Sequence, residues 1–254
     1  MKILAVIASP RKKGNTFEVV EKIANEMQSF GDIEVEYLFL SEVNLKLCKG
    51  CCACLTKGEN YCPNNEDDVK IIEEKILSSD AVIFASPVYA MNMTALMKNF
   101  MDRFAFTMHR PRFFNQYTMI VAVTGSVGLK ETINSISQLK YCGFNIVQTF
   151  GMVASSPLVN PSVGDEKMIK KIEKEAQKFY KIIKSKKPMS PSFDTIMQFK
   201  MQKKYFLKSK DTAPSDWEYF NSKGWFESKV NYYTHDANLG VVKNTAAKIL
   251  AKFI

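Results

Sequence analysis

Two groups of residues in this chain have types and spacings that could do chemistry. The first follows directly on an apolar run, KILAVIA, at 2–8: Ser9, Pro10, Arg11, Gly14, Asn15 and Thr16 precede a helical pattern. Small hydroxyls, free backbone amides and a fixed cation at a helix N-terminus favour an anion, because the first N–H groups lack intrahelical acceptors and sit at the positive end of the helix dipole. The spacing is neither G-x-G-x-x-G nor G-x-x-x-x-G-K-[ST]. A monophosphate held by side-chain hydroxyls and amides fits it better than a pyrophosphate on bare glycine backbone. The second group is a run of cysteines. Cys48, Cys51, Cys54 and Cys62 are spaced C-x2-C-x2-C-x7-C, with Cys52 as a competing thiol. Four thiolates on one short loop could ligate a [4Fe–4S] cluster or a tetrahedral zinc ion, or could stay free thiols. All three readings stay open on the sequence.

Two further loops belong with the first group. SPVYAMN at 86–92 carries a rigid Pro87 and a flat amphipathic Tyr89, and TGSVG at 124–128 carries two glycines and two hydroxyls. Backbone can approach a ligand closely at such glycines. Asp102 and Arg103 at the end of a helical pattern read as a structural charge pair. Asp67 and Asp68 read as acidic residues in the first turn of a helix. Cys142 reads as a buried small hydrophobe, and His109 as a surface histidine in the basic, aromatic stretch FTMHRPRFF. No Ser-His-Asp layout or paired catalytic carboxylates emerge, so no catalytic side chain is assigned.

The elements that must position these loops alternate. Strand-like runs at 2–8, 33–40, 81–86, 118–124 and 145–153 are separated by helical patterns at 16–29, 66–78, 93–106, 128–141 and 165–184. Near-continuous apolar strands such as AVIFA and MIVAV fit a parallel sheet buried on both faces. Right-handed crossovers leave few topologies, led by the five-stranded order 2-1-3-4-5. In such sheets ligands bind beyond the carboxyl ends of the strands, at the switch point. The loops after strands one, three and four are the ones at issue.

Composition changes near Lys186. SKKPMSPSF at 185–193 reads as a linker, and the remainder, 186–254, holds both tryptophans and 12 of the chain's 30 aromatic residues. Val242, Ala246, Ile249, Leu250 and Phe253 form one apolar stripe of a terminal helix. So many aromatics imply packing on the chain's own core or on a second subunit. The division expected is a domain at 1–185 and an extension at 186–254. The net charge is +9, and twelve lysines against six acidic residues from Lys186 to Ile254 supply much of it. Such a balance attracts anionic partners, and solvated lysine-rich faces give the same number with no partner. No run approaches the roughly 18 apolar residues of a membrane span. With no signal-peptide layout either, the expected location is the cytoplasm.

The set ASPRKKGNT, CKGCCACLTKGENYCPNNEDD (48–68) and SPVYAMNMTALMKNFMDR (86–103), in that order, resembles the NADPH-dependent FMN reductase family of flavodoxin-like proteins, and within it the iron–sulfur flavoprotein branch. The resemblance covers residues 1–185. It implies a flavodoxin-like three-layer α/β sandwich. It implies that Ser9, Arg11, Asn15 and Thr16 hold the FMN phosphate. Pro87, Val88, Tyr89 and Asn92 would line the flavin ring, with Thr124, Gly125 and Ser126 at its other edge. Where family members often carry a small pair such as Gly-Ser, this chain has Met91 and Asn92. The iron–sulfur branch carries a similar cysteine pattern, generally with a shorter last gap.

The activity implied is an FMN-dependent NAD(P)H oxidoreductase with ping-pong exchange. The nicotinamide reduces the flavin and leaves, and a quinone-like, nitro or azo, flavin or iron–sulfur acceptor is then reduced. Dimers or tetramers are implied as well. One rival is an iron–sulfur flavoprotein acting as an electron carrier between proteins. A second is a binding protein using the basic tail on nucleic acid or lipid. No nucleic-acid module is recognisable and no stable membrane insertion is expected, so this second rival ranks last.

Overall fold

In the computed structural model, which describes residues 1–154 and 163–251, five strands form one parallel sheet. They are β1 (Lys2–Ile7), β2 (Glu34–Phe39), β3 (Ala81–Pro87), β4 (Tyr117–Thr124) and β5 (Asn145–Val153), in the order β2-β1-β3-β4-β5. This is the flavodoxin-like order expected from the alternating pattern. Side chains alternate across each strand, so the central strands feed two separate cores. Ile3, Ala5 and Ile7 face α1 (Asn15–Ser29) and α7 (Glu166–Lys184). Leu4 and Val6 face α3 (Val69–Leu77) and α4 (Ala95–Arg103). β3 is buried at every position, as a strand covered on both faces requires.

Several boundaries differ from the sequence reading, each for a local reason. α3 begins at Val69 rather than 66, and Asp67 Oδ1 accepts from Val69 N at 3.3 Å at that start. The Asp68 carboxylate accepts from Asn44 N at 2.7 Å, and the Asp67 carboxylate accepts from Lys46 N at 3.1 Å. They lie ahead of the first turn, not in it. The pattern at 93–106 breaks after Arg103 and resumes as a short α5 (Phe106–His109). The pattern at 128–141 is α6 (Leu129–Ile136) followed by a tighter 3-10 turn at Ser137–Cys142. Asp102 and Arg103 do not pair with each other: Asp102 takes Lys98, and Arg103 takes Asp67.

The C-terminal segment supplies α8 (Phe193–Phe206), α9 (Pro214–Ser222) and α10 (Val241–Leu250). Ile196, Phe199, Phe206, Phe220, Trp225, Tyr232 and Tyr233 form a third apolar cluster against Phe114 of the core. The terminal stripe is present, and among the described residues this chain leaves it largely uncovered. Val242, Ile249 and Leu250 are exposed, Ala246 is half-buried, and only Ala247 of α10 is buried. Phe253 lies outside the described residues. No helix among the described residues is long and apolar enough to cross a membrane.

Asp194 ties α8 to the core through Lys140 and through the Tyr141 hydroxyl at 2.9 Å. Partial burial pushes its pKa up. Hydrogen bonds from Lys140, Ser192 and Tyr141 together outweigh that and hold it at about 2. A depressed carboxylate adds stability above its unfolded value of about 3.9, and loses it as pH falls toward the folded one. Asp194→Asn should therefore cost up to about 1 kcal/mol at neutral pH, the site being well solvated. Urea unfolding of both proteins should show that difference shrinking between about pH 4 and about pH 2.

Candidate functional site

The three loops singled out by type leave the carboxyl ends of β1, β3 and β4, with β1 and β3 side by side. They are cross-tied by a few polar atoms. Thr94 stands at the N-cap of α4. Its hydroxyl donates to Ala8 O at 2.8 Å and accepts from Met97 N at 3.3 Å. Its amide donates to the Ser86 hydroxyl at 3.2 Å. One buried threonine thus fastens the end of β1 to the loop after β3. Val88 N donates to Val123 O at 2.8 Å and joins that loop to β4.

In the first loop Ser9 is buried. Its hydroxyl donates to Arg11 O at 2.9 Å, and Arg11 N donates back to it at 3.2 Å. That turn delivers the chain to Gly14, the N-cap of α1, which supplies no side-chain cap. The exposed Arg11 folds back over Gly14: a methyl there would stand 3.7 Å from Arg11 Nε. Thr16 is buried in the first turn and Asn15 is half-buried. Hydroxyl, guanidinium and an uncapped helix end therefore converge, which is the chemistry of an anion site.

The second loop is a two-residue hairpin. Tyr89 N donates to Asn92 O at 2.8 Å, and Asn92 N donates to Tyr89 O at 3.0 Å. The two central residues, Ala90 (φ 46°) and Met91 (φ 67°), are both left-handed. Such a turn normally uses Asn or Gly, so the loop carries strain with side chains in place. Tyr89, Met91 and Asn92 are exposed at its rim. Opposite, Thr124 Oγ1 donates to Val127 O at 2.6 Å and accepts from Ser126 N at 3.2 Å. Gly128 closes that loop with φ 89°. A Cβ there would meet Val88 Cγ1 at 2.7 Å and Met91 Cα at 2.9 Å. The strained hairpin and the glycine turn are packed against each other.

The structure therefore brings Ser9, Arg11, Asn15 and Thr16, then Pro87, Val88, Tyr89 and Asn92, then Thr124, Gly125 and Ser126 to the carboxyl end of the sheet. Sequence reasoning missed Thr94, whose only signal was a threonine ahead of a helical run, and Ser86 and Gly128, which stood inside quoted loops without a role.

The cysteines lie between β2 and α3, around the short α2 (Ala53–Thr56) and a 3-10 turn at Glu59–Tyr61. This segment has little regular structure, and polar side chains pin it. Asn64 Nδ2 donates to Leu47 O at 2.8 Å, and Asn99 Nδ2 of α4 donates to Leu45 O at 3.0 Å. Arg103 reaches in from the end of α4. It is paired with the buried Asp67 at 2.9 Å and donates to Asn64 O at 3.1 Å and to Cys62 Sγ at 3.0 Å.

Cys48, Cys51 and Cys52 are exposed, while Cys54 and Cys62 are half-buried. The Cys54 thiol is held above its ordinary pKa, first by burial and then by Cys62, with Cys48 and Cys51 acting the same way against Arg110. Cys54 thus senses the three other cysteines of the C-x2-C-x2-C-x7-C pattern. Cys52 stays outside that set: it has φ 56° and turns its thiol to Gly50 O at 3.6 Å. Among the described residues no three Cys, His, Asp or Glu side chains stand in a metal-holding arrangement. By residue type the four cysteines suit thiolate ligation, and two cations stand by them: Arg103 donates to Cys62 Sγ, and Arg110 acts on Cys54. Cys142 is apart from all this: burial pushes its thiol up to about 12. His109 is not a free surface histidine, since its Nδ1 lies 2.8 Å from Asp216 Oδ2.

Comparison with known proteins agrees with this geometry. The family described as NADPH-dependent FMN reductase matches residues 1–156. An iron-sulfur flavoprotein of Archaeoglobus fulgidus is 32% identical over 228 residues, covering 89% of this chain and all of that protein. An iron-sulfur flavoprotein of Clostridioides difficile is 32% identical over 192 residues, covering 74% of this chain and 81% of its own. Among solved structures, a flavone reductase aligns with a TM-score of 0.58 at 17% identity, over 76% of this chain and 66% of that one, a likeness of fold. The chain belongs to the NADPH-dependent FMN reductase family and resembles its iron–sulfur flavoprotein branch. It is a flavin-dependent oxidoreductase.

Gly128→Ala should cost about 1–3 kcal/mol, because the new methyl meets backbone at a positive φ. Thermal unfolding reads that cost, and the flavin recovered per chain should fall with it.

Proposed function

We propose that the three sheet-end loops hold FMN, that NAD(P)H reduces it, and that electrons leave by way of a [4Fe–4S] centre on Cys48, Cys51, Cys54 and Cys62. Bound there, the flavin would accept hydride and release electrons, singly or in pairs. The chain's residues do the rest. Ser9, Arg11, Asn15, Thr16 and the first amides of α1 hold the phosphate. The Val88–Tyr89 edge and the 124–126 turn orient the ring. Arg103 offsets negative charge at Cys62.

The observation that carries this is α4. Its first end, at Thr94, is bonded to the loops after β1 and β3, and its last residue, Arg103, touches Cys62. Nine helical steps at about 1.5 Å each set about 14 Å between the two ends. A rigid element thus links the flavin loops to the thiols. Residues 1–185 form the flavin-binding unit in this proposal, and 186–254 an extension that covers it. A homodimer or tetramer and a small-molecule final acceptor complete the proposal.

Protein purified without oxygen should show flavin absorption and a broad shoulder at longer wavelength that fades in air. A colourless protein that takes up no FMN at micromolar levels would refute the flavin assignment. In stopped flow, NADPH should bleach the flavin rapidly. Slow or absent bleaching would instead make the protein a carrier between protein partners. Arg11→Ala should weaken FMN binding by about tenfold, as expected for one lost charge-assisted hydrogen bond, measured by flavin fluorescence titration.

A further inference from the structure

The C-terminal segment reaches the cysteine loop through one buried group. Arg110 is 2% exposed and stands between the two. On one side it pairs with Asp216 of α9, itself 1% exposed. On the other, its Nη2 donates to Cys54 O and to Glu59 Oε2, the latter at 3.0 Å. His109 adds a second contact to Asp216 at 2.8 Å. Arg112 repeats the pattern one step out: it bonds Glu59 at 3.2 Å and stacks over Tyr219 of α9, whose hydroxyl donates to Pro111 O at 2.8 Å. The loop also meets α9 directly, since a methyl at Gly58 would stand 3.1 Å from Ser215 Oγ. Glu59 is the loop's own anchor. Burial pushes its pKa up, but Arg110, its own backbone amide and then Arg112 together outweigh that and lower it.

We infer that Asp216 is a positioning residue for the cysteine loop: it fixes the Arg110 guanidinium so that the same group grips the Cys54 carbonyl and the Glu59 carboxylate. Without Asp216 the buried guanidinium loses its one buried counter-charge among the described residues, keeps only the partly exposed Glu59, and must turn toward it or toward water. The Cys54 carbonyl then loses its donor, and α2 loses its attachment. The extension thereby sets how Cys54 is presented. Arg103 does the equivalent task for Cys62 from within the core. The inference rests on the proposal that this loop is the redox-active thiol element, and it assigns the extension's part in that element.

The test labels thiols with iodoacetamide in the flavin-loaded protein, purified without oxygen, and reads each cysteine by mass spectrometry. Asp216→Asn should speed labelling of Cys54 by about tenfold, the scale of one lost charge-assisted bond. Cys142, buried in the core, should stay as slow as in the wild type, and flavin absorption should be unchanged. Asp216→Glu, which keeps the carboxylate, should restore most of the protection. Glu59→Gln removes the loop-side grip without touching the buried aspartate, and should speed Cys54 in the same direction. It decides the matter if Asp216→Asn does not fold. Unchanged Cys54 labelling in the folded variants overturns the inference, as does a rise shared equally by Cys142. A spectrum lacking any iron–sulfur feature would sink the cluster assignment alone, because the labelling experiment reads the clamp on free thiols as well.

Discussion

The arrangement turns on a desolvated charge pair, Arg103 with Asp67. Both side chains are at most 5% exposed. A guanidinium and a carboxylate removed from water must satisfy one another and nearly all their remaining hydrogen-bonding capacity. Asp67 does so by accepting from Lys46 N as well, and Arg103 by donating to Asn64 O and Cys62 Sγ. Meeting these demands folds the irregular stretch between β2 and α3 around one point. Asp67 also accepts from Val69 N at 3.3 Å, where α3 begins. The pair lends little net stability for its cost, and what it fixes is geometry.

From that point the constraint runs back along α4 to Thr94, and from Thr94 to the loops after β1 and β3. The same helix therefore sets the sheet-end loops and the cysteine loop in register with each other. The loops at the carboxyl end of the sheet are held by hydroxyls and amides rather than by large apolar contacts, which leaves their outer rims open to a ligand. The left-handed Ala90 and Met91 show what this costs locally. The hairpin persists with unfavourable residues because Gly128 lets the neighbouring loop pack against it.

Much of this was legible in the sequence because it is local. Apolar runs of fixed period gave the five strands, and their order followed from handedness and connection length. The loops at 9–16, 86–92 and 124–128 could be read as loops because each sits directly after a strand. What could not be read is long-range and polar. Asp216 pairs with Arg110, 106 residues away, and no spacing rule connects them. Arg103 looked like the partner of its neighbour Asp102, yet helix geometry points adjacent side chains apart and sends Asp102 to Lys98 instead. The terminal stripe of α10 misled for the opposite reason. Its periodicity is sound, but an amphipathic pattern says only that a face is apolar, not that this chain covers it.

The spacing of these groups along the polypeptide also sets an order of events at the ribosome. The three sheet-end loops come from residues 9–16, 86–94 and 124–128, so all their residues have been made once about half the chain has emerged. The aspartate that braces the thiol loop is made some ninety residues later, on the order of ten seconds at ordinary translation speed. A nascent chain thus holds the residues of all three loops before Asp216 is made, and folds them only once β5 and α7 have followed. The cysteine loop is therefore the last of these parts to gain its contact with α9.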